Sequence, residues 1–69
     1  MTFQKQVLSV CPECWAESME IYWDSAYHTR YLIRGDRGYA LGHCCPSEDG
    51  AWESAWYDIP RKMLEKLES

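Results

Sequence analysis

Two cysteines separated by two residues, Cys11 and Cys14, are the residues of this chain best suited to chemistry. Pro12 fixes φ between them, so the chain turns tightly there and directs both thiols toward one point. Two thiolates at this spacing supply half of the tetrahedral ligand set that zinc prefers in proteins. The sequence therefore predicts a metal site whose other half comes from elsewhere in the chain.

The second half of this site is predicted in the stretch His43-Cys44-Cys45, which holds the remaining cysteines. Cys45 stands before a proline, as Cys11 does, and is the third predicted ligand. The fourth ligand is open between His43 and Cys44. Alternation along a strand puts His43 on the same side as Cys45, whereas a bend at the strand end would bring Cys44 round instead. Glu48 is a further candidate, although a solvated turn acid is its more common role.

A zinc ion with four protein ligands has no open position for water or substrate, so we expect one structural zinc and no enzymatic activity. Two alternatives stay open: disulfides, and a redox-active dithiol that would make the chain a small oxidoreductase. The first eight residues contain no apolar signal segment, and no run is long enough to span a membrane. We therefore expect a reducing cytoplasm, where paired cysteines more often hold a metal than a bridge.

The motif Cys11-Pro12-Glu13-Cys14 is similar to the zinc knuckle of zinc-ribbon and treble-clef proteins. The resemblance covers these four residues, and Trp15 stands where such knuckles often carry a glycine. It implies a structural zinc in a small fold of the zinc-finger type.

The length of 69 residues indicates a single domain, residues 1–69, whose core is too small to be an ample source of stability. A staple such as zinc is therefore expected. The predicted fold class is α+β: a small zinc-stapled domain with an antiparallel β-hairpin or short sheet and a C-terminal helix.

The elements that must position the thiols are predicted from residue patterns. Residues 3–10 are predicted to form a short strand that enters the metal turn. Residues 15–24 fit a strand or a helix, and the run Ile21-Tyr22-Trp23 favours a strand. Residues 27–34 alternate in polarity, and after a glycine-containing loop residues 39–45 return, which predicts a hairpin that delivers the second set of ligands.

The C-terminal third is predicted to end in a helix. Pro60 is tolerated only in a first turn, so this helix is expected from about Ile59, with Asp58 as its N-cap. Residues 51–57 are left open between an earlier helix and a last strand. The final residues are amphipathic, and their predicted buried stripe consists of Met63, Leu64 and Leu67.

The aromatic composition indicates a protein partner. Four tryptophans and five tyrosines exceed what one small core readily buries, and these residue types often anchor protein interfaces. The predicted partner-binding residues are Trp52, Trp56 and Tyr57. We expect a non-enzymatic adaptor or inhibitor that docks on another protein, including on a basic surface that nucleic acid normally occupies. In its acidity, aromatic content and size the chain resembles small phage or mobile-element accessory proteins.

Nucleic-acid binding is the alternative function. Arg30, Arg34 and Arg37 lie on the predicted hairpin, where neighbouring tyrosines could stack on bases, as in a nucleic-acid-binding zinc ribbon. The net charge of −4 argues against this function, because affinity for a phosphate backbone comes from clustered lysine and arginine.

Overall fold

The computed structural model describes the backbone of residues 2–68 and the side chains of residues 2–61. The three strands form an antiparallel sheet in chain order, and two helices pack together on one of its faces. The α+β prediction is therefore confirmed. Within this part of the chain, no helix has the length and apolar character needed to cross a bilayer. The elements are α1 (Phe3–Val10), β1 (Trp15–Trp23), β2 (Ala26–Arg34), a 3-10 turn (Asp36–Gly38), β3 (Ala40–Cys45) and α2 (Glu48–Glu68).

The strand predicted for residues 3–10 is wrong, because this segment forms the helix α1. The Thr2 hydroxyl caps it by accepting a hydrogen bond from the Lys5 N–H at 3.2 Å. Val7 is fully buried in the core that α1 shares with α2. The helix ends before Cys11 because a proline follows that residue and disfavours helical φ and ψ. Capping and burial of one helical face thus outweigh the strand propensity of the valines.

The strand predicted for residues 15–24 is confirmed as β1, which pairs with β2 along its whole length. The two strands are joined by a two-residue turn, Asp24-Ser25, in which both residues have positive φ, 52° and 63°. This geometry is that of a type I′ hairpin turn. The sequence did not predict this hairpin, since no glycine marks its turn.

The hairpin of β2 and β3 is confirmed, but β3 carries a bulge. Leu41 pairs with Ile33 and Cys45 pairs with Tyr31, so four steps along β3 match two steps along β2. Gly42 lies in the bulge with φ of 78°. The bulge brings the strand backbone against α2 and re-aims the residues that follow.

The helix expected from about Ile59 in fact begins at Glu48, so residues 51–57 are helical. The Ser47 hydroxyl accepts a hydrogen bond from the Gly50 N–H at 3.1 Å, which makes Ser47 the N-cap. Pro60 lies inside α2 and removes one backbone donor. The apolar face formed by Trp52, Ala55 and Ile59 continues to this point, and its burial outweighs the proline.

The predicted stripe of Met63, Leu64 and Leu67 lies outside the residues whose side chains are described. The core fills the space between α1, α2 and one face of the sheet, and its fully buried large side chains are Val7 and Ile33. The opposite face of the sheet is covered by no element of the described residues. Its side chains are Trp15, Glu17, Met19, Ile21 and Trp23 of β1 with their β2 neighbours.

Asp58 does not cap a helix but ties β3 to α2. Its carboxylate accepts a hydrogen bond from the Gly42 N–H at 2.9 Å, and the Ser54 hydroxyl accepts one from the His43 N–H at 2.8 Å. Two side chains one turn apart on α2 thus satisfy two successive donors on the outer edge of β3.

We expect Asp58→Ala to lower the free energy of unfolding by about 1–2 kcal/mol, because the half-buried Gly42 N–H loses its acceptor. Asp58→Asn keeps a carbonyl oxygen at this position and should lose less than half as much. Urea denaturation of both variants measures the difference. Equal losses would show that the charge of Asp58, not its hydrogen bond, is what stabilises the fold.

Candidate functional site

Cys11 and Cys14 are brought together by the turn that joins α1 to β1. The Cys11 N–H donates to the Val7 carbonyl at 2.8 Å, and the Cys14 N–H donates back to the Cys11 carbonyl at 3.1 Å. The two Cα atoms are 5.6 Å apart, and the sulfur atoms lie within bonding contact as a disulfide. The site is therefore a closed pair of sulfurs at the end of a helix.

This pair packs against the loop between β2 and β3. Cys14 is buried in the core and Cys11 packs against it. A Cβ placed on Gly35 would lie 3.7 Å from Cys14 Sγ and 3.9 Å from Cys11 Sγ, and Leu41 is beside the same position. The sulfurs thus have mainly apolar neighbours and lie in the same core as Leu41 at the start of β3.

His43, Cys44 and Cys45 lie further along the sheet. Cys45 pairs with Tyr31 of β2. Tyr31 is four residues from Gly35, which lies beside the Cys11–Cys14 pair, so the two positions are about 13 Å apart at roughly 3.3 Å per strand residue. Cys45 faces α2, since a Cβ on Gly50 would be 3.4 Å from Cys45 Cβ. Cys44 points to the open face of the sheet, where its Sγ lies 4.0 Å from Met19 Sδ.

These positions do not assemble the ligand set of the predicted zinc. Among the side chains that the structure describes, no three Cys, His, Asp or Glu residues lie close enough to share a metal ion. Cys11 and Cys14 lie together in the turn before β1, whereas Cys44 and Cys45 lie at the end of β3 and point to opposite faces of the sheet. A four-ligand zinc would require β3 to move toward the first pair, so zinc stays a prediction that rests on Cys11 and Cys14.

No match to this chain is found among known protein families, curated proteins or solved structures.

The three predicted partner-binding residues have different positions on α2. Trp52 is 3% exposed and belongs to the core, and Trp56 packs against that core. Tyr57 is 65% exposed, with its ring 6.1 Å from the ring of Phe3. Because α2 begins earlier than expected, the tryptophans lie on its buried face, and Tyr57 is the member of the three that solvent reaches.

A different aromatic surface is formed by residues 19–30, which we call the aromatic arm. The pairing of β3 with β2 covers only the stretch from Tyr31 to Arg34, so the arm extends beyond β3 as a two-stranded ribbon. Its exposed large side chains are Ile21, Tyr22, Trp23 and Tyr27. The signal for this surface was present in the sequence, since aromatic residues flank the turn at Asp24-Ser25 on both sides.

Contacts between side chains hold the arm in shape. The Tyr22 and Tyr27 rings meet edge to face with centroids 4.9 Å apart, and Trp23 stacks on His28 at 3.6 Å. The Arg30 guanidinium lies 4.7 Å from the centroid of the Trp23 ring. An isolated two-stranded ribbon is marginal in water, and each aromatic pair adds about 0.5–1.5 kcal/mol. The arm therefore presents its aromatic groups in a preorganised arrangement.

The three arginines of the predicted nucleic-acid surface have unequal roles. Arg34 donates from Nε to the Glu17 carboxylate and from a second nitrogen to the Gly38 carbonyl at 2.7 Å. Arg30 donates to the carbonyl of its neighbour Thr29 while lying over the arm. Arg37 lies in the 3-10 turn with φ of 62°. Arg34 is thus engaged in holding β1, β2 and the loop together.

A cleft of about 200 Å³ beside β3 contains His43, Ser54 and Asp58, residue types that catalyse hydrolysis in other proteins. Here the Ser54 and Asp58 oxygens accept main-chain hydrogen bonds from the bulge of β3. The serine contacts the backbone N–H of His43 and makes no hydrogen bond to its imidazole within the described residues. The arrangement supports the strand and does not form a nucleophile with its base.

Proposed function

We propose that this protein is a non-enzymatic interaction protein, an adaptor or inhibitor, that docks on another protein through the aromatic arm. The observation that supports this is the exposure of Tyr22 and Tyr27, at 61% and 72%, on a ribbon that extends beyond the core. Tyrosine and tryptophan offer large contact areas at a low cost in side-chain entropy. A preorganised arm lowers the ordering cost of binding further.

The partner surface we propose is apolar with basic groups at its rim. The arm and its turn carry Glu20 and Asp24 against the single arginine Arg30, and the whole chain has a net charge of −4. A basic surface of the partner that normally binds nucleic acid is one surface of this kind. Nucleic acid itself is the less favoured partner, because Arg34 is engaged with Glu17. The proposed location is the cytoplasm.

The role we propose for Cys11 and Cys14 is structural. A bond between their sulfurs would fasten α1 to β1 without a metal. A zinc ion held by the same sulfurs would do so with two further ligands, for which Cys45 and either His43 or Cys44 are the candidates. Either staple supports the arm indirectly, since β1 begins directly after Cys14.

The proposal is tested by affinity capture with matched variants. We expect the double variant Tyr22→Ser with Tyr27→Ser to lose at least about 90% of a bound partner, since loss of interface anchors commonly costs 2 kcal/mol or more. Tyr39→Ser, which removes an exposed tyrosine outside the arm, serves as the control and should retain the partner. Quantitative mass spectrometry of the captured proteins provides the measurement.

If the arm variant and the control capture the same proteins in the same amounts, the arm is not the docking surface. A parallel experiment measures the binding of single-stranded oligonucleotides at low salt. Binding that disappears with Arg30→Ala and Arg37→Ala would favour the nucleic-acid function over the one proposed here.

A further inference from the structure

We infer that the outer edge of β1 binds an extended, basic segment of a partner protein, which joins the sheet as a further strand. This inference rests on the proposed function and names its binding mode and the chemistry of the partner. The sheet order places β1 and β3 at opposite edges. The two edges are built differently, and that difference is the basis of the inference.

The edge formed by β3 is closed to strand addition. The strand has six residues and is interrupted by the bulge at Gly42. The outward N–H groups of Gly42 and His43 are already bonded to Asp58 and Ser54 of α2. Short length, a bulge and cover by a neighbouring element are three of the devices by which proteins prevent pairing at an edge, and charged side chains are another.

Within the described residues, the edge formed by β1 is neither short, bulged nor covered, and its charged side chains, Glu17 and Glu20, are both acidic. It has nine residues in unbroken register with β2 and contains neither glycine nor proline. The two-residue turn makes Trp23 and Ala26 a hydrogen-bonded pair, so every second residue back from Trp23 directs its peptide groups toward β2. The outward peptide groups therefore belong to Ala16, Ser18, Glu20 and Tyr22. No hydrogen bond in the described part of the chain connects them to another element.

Charge selects the kind of segment that fits this edge. The stretch from Glu13 to Asp24 contains these two acids together with Glu17, whose carboxylate is bonded to Arg34, and Glu20, and it contains no lysine or arginine. A segment with alternating basic side chains would place one of them opposite Glu20 across the new strand pair, which stabilises it. Two copies of β1 would instead bring acidic strands together. We therefore assign the edge to a basic partner and not to a second copy of this chain.

A shorter open edge exists on β2 within the arm, beyond the end of β3. Its outward peptide groups belong to Tyr27 and Thr29, and the adjacent side chains include His28 and Arg30. This edge offers two residues where β1 offers four, and its charge opposes a basic segment. The two edges can thus be told apart by the amides that become protected.

The first test measures amide exchange by NMR with a short peptide of alternating lysine and valine. We expect exchange of the Ala16, Ser18, Glu20 and Tyr22 amides to slow at least about tenfold on binding. The Glu17 and Met19 amides, already paired with β2, should not change. The affinity of a peptide of alternating glutamate and valine should be lower by roughly tenfold or more.

Variants of Ser18 separate the edge from its side chains. Ser18→Pro removes one outward N–H, and proline is tolerated on an edge strand, so peptide affinity should fall about tenfold. Ser18→Ala keeps the N–H and should bind as the parent chain does. Glu20→Lys leaves the backbone unchanged and should reverse the preference between the two peptides, which keeps the test decisive if the proline variant does not fold.

Several outcomes would overturn the inference. Protection at Tyr27 and Thr29 in place of β1, protection of the β1 amides by self-association without peptide, or absence of protection with both peptides would each do so. If the arm variant loses its captured partner while Ser18→Pro and Glu20→Lys retain it, the edge inference fails and the proposed function stands. If the captured partner survives all of these variants, both fail.

Discussion

Replacing Gly42 with alanine is expected to lower the free energy of unfolding by roughly 3 kcal/mol or more. A Cβ at this position would lie 2.6 Å from both the carbonyl carbon and the hydroxyl oxygen of Ser54 and 2.8 Å from the Ala55 nitrogen. Backbone atoms of a packed helix cannot yield as a flexible side chain would, so β3 and α2 must separate. The residue also has φ of 78°, which costs a side-chain-bearing residue about 1–2 kcal/mol.

The matched control for this change is Gly38→Ala. Gly38 has nearly the same φ, 82°, but an added Cβ would meet no atom within 4 Å. Gly38→Ala should therefore lower the free energy of unfolding only by the cost of the positive φ, about 1 kcal/mol. Urea denaturation of the two variants measures the difference, which matters because a domain of this size has roughly 3–10 kcal/mol of stability. Equal losses would contradict the close approach of β3 to α2.

The second large effect is expected at Cys14. With the bond to Cys11 formed, Cys14→Ala should lower the free energy of unfolding by about 3 kcal/mol, of which about 2 kcal/mol is the loop entropy of that bond and the rest is the cavity left by a buried sulfur. Cys44→Ser, at an exposed thiol, should change stability by less than about 0.5 kcal/mol. Thermal or urea denaturation without reductant measures both.

Mass spectrometry of the intact chain decides which staple is present. With the bond between Cys11 and Cys14, the mass is lower than that of the reduced sequence by two hydrogens, and an alkylating reagent labels Cys44 and Cys45 alone. A mass increase of one zinc that a chelator removes, with Cys45 protected from alkylation, would instead establish the predicted metal site. That result would require β3 to lie closer to Cys14 than this structure places it.

Local patterns predicted the sheet well because its strands alternate and pair with their neighbours in sequence. The alternation from Tyr27 to Arg34 and the glycines of the following loop were sufficient for the hairpin of β2 and β3. The helix α1 was missed because its identity depends on the Thr2 cap and on burial of Val7 against a helix that begins at Glu48. The start of α2 at Glu48 differs from the prediction because burial of the face formed by Trp52 and Ala55 outweighs the hydrogen bond that Pro60 removes.

The candidate site was predicted in part. The spacing of Cys11 and Cys14 placed two sulfurs together, since a four-residue turn fixes their separation locally. The relation of that pair to Cys45 depends on the register between β2 and β3, which the bulge at Gly42 alters. The aromatic residues of the arm are visible in the sequence on both sides of Asp24-Ser25, but the turn without glycine between them and the point at which β3 ends are not.

The chain-order sheet also has a consequence for the way the protein folds. β2 pairs with β1, β3 pairs with β2, and β3 packs on the helix that directly follows. Such short-range closures cost little loop entropy and form early and fast. Among the described elements, the contact that spans the most sequence is that of α1 with α2, which places Val7 in the same buried cluster as Ala55. We therefore expect docking of α1 to be the last step of folding, with the cysteine turn as the hinge on which the helix closes.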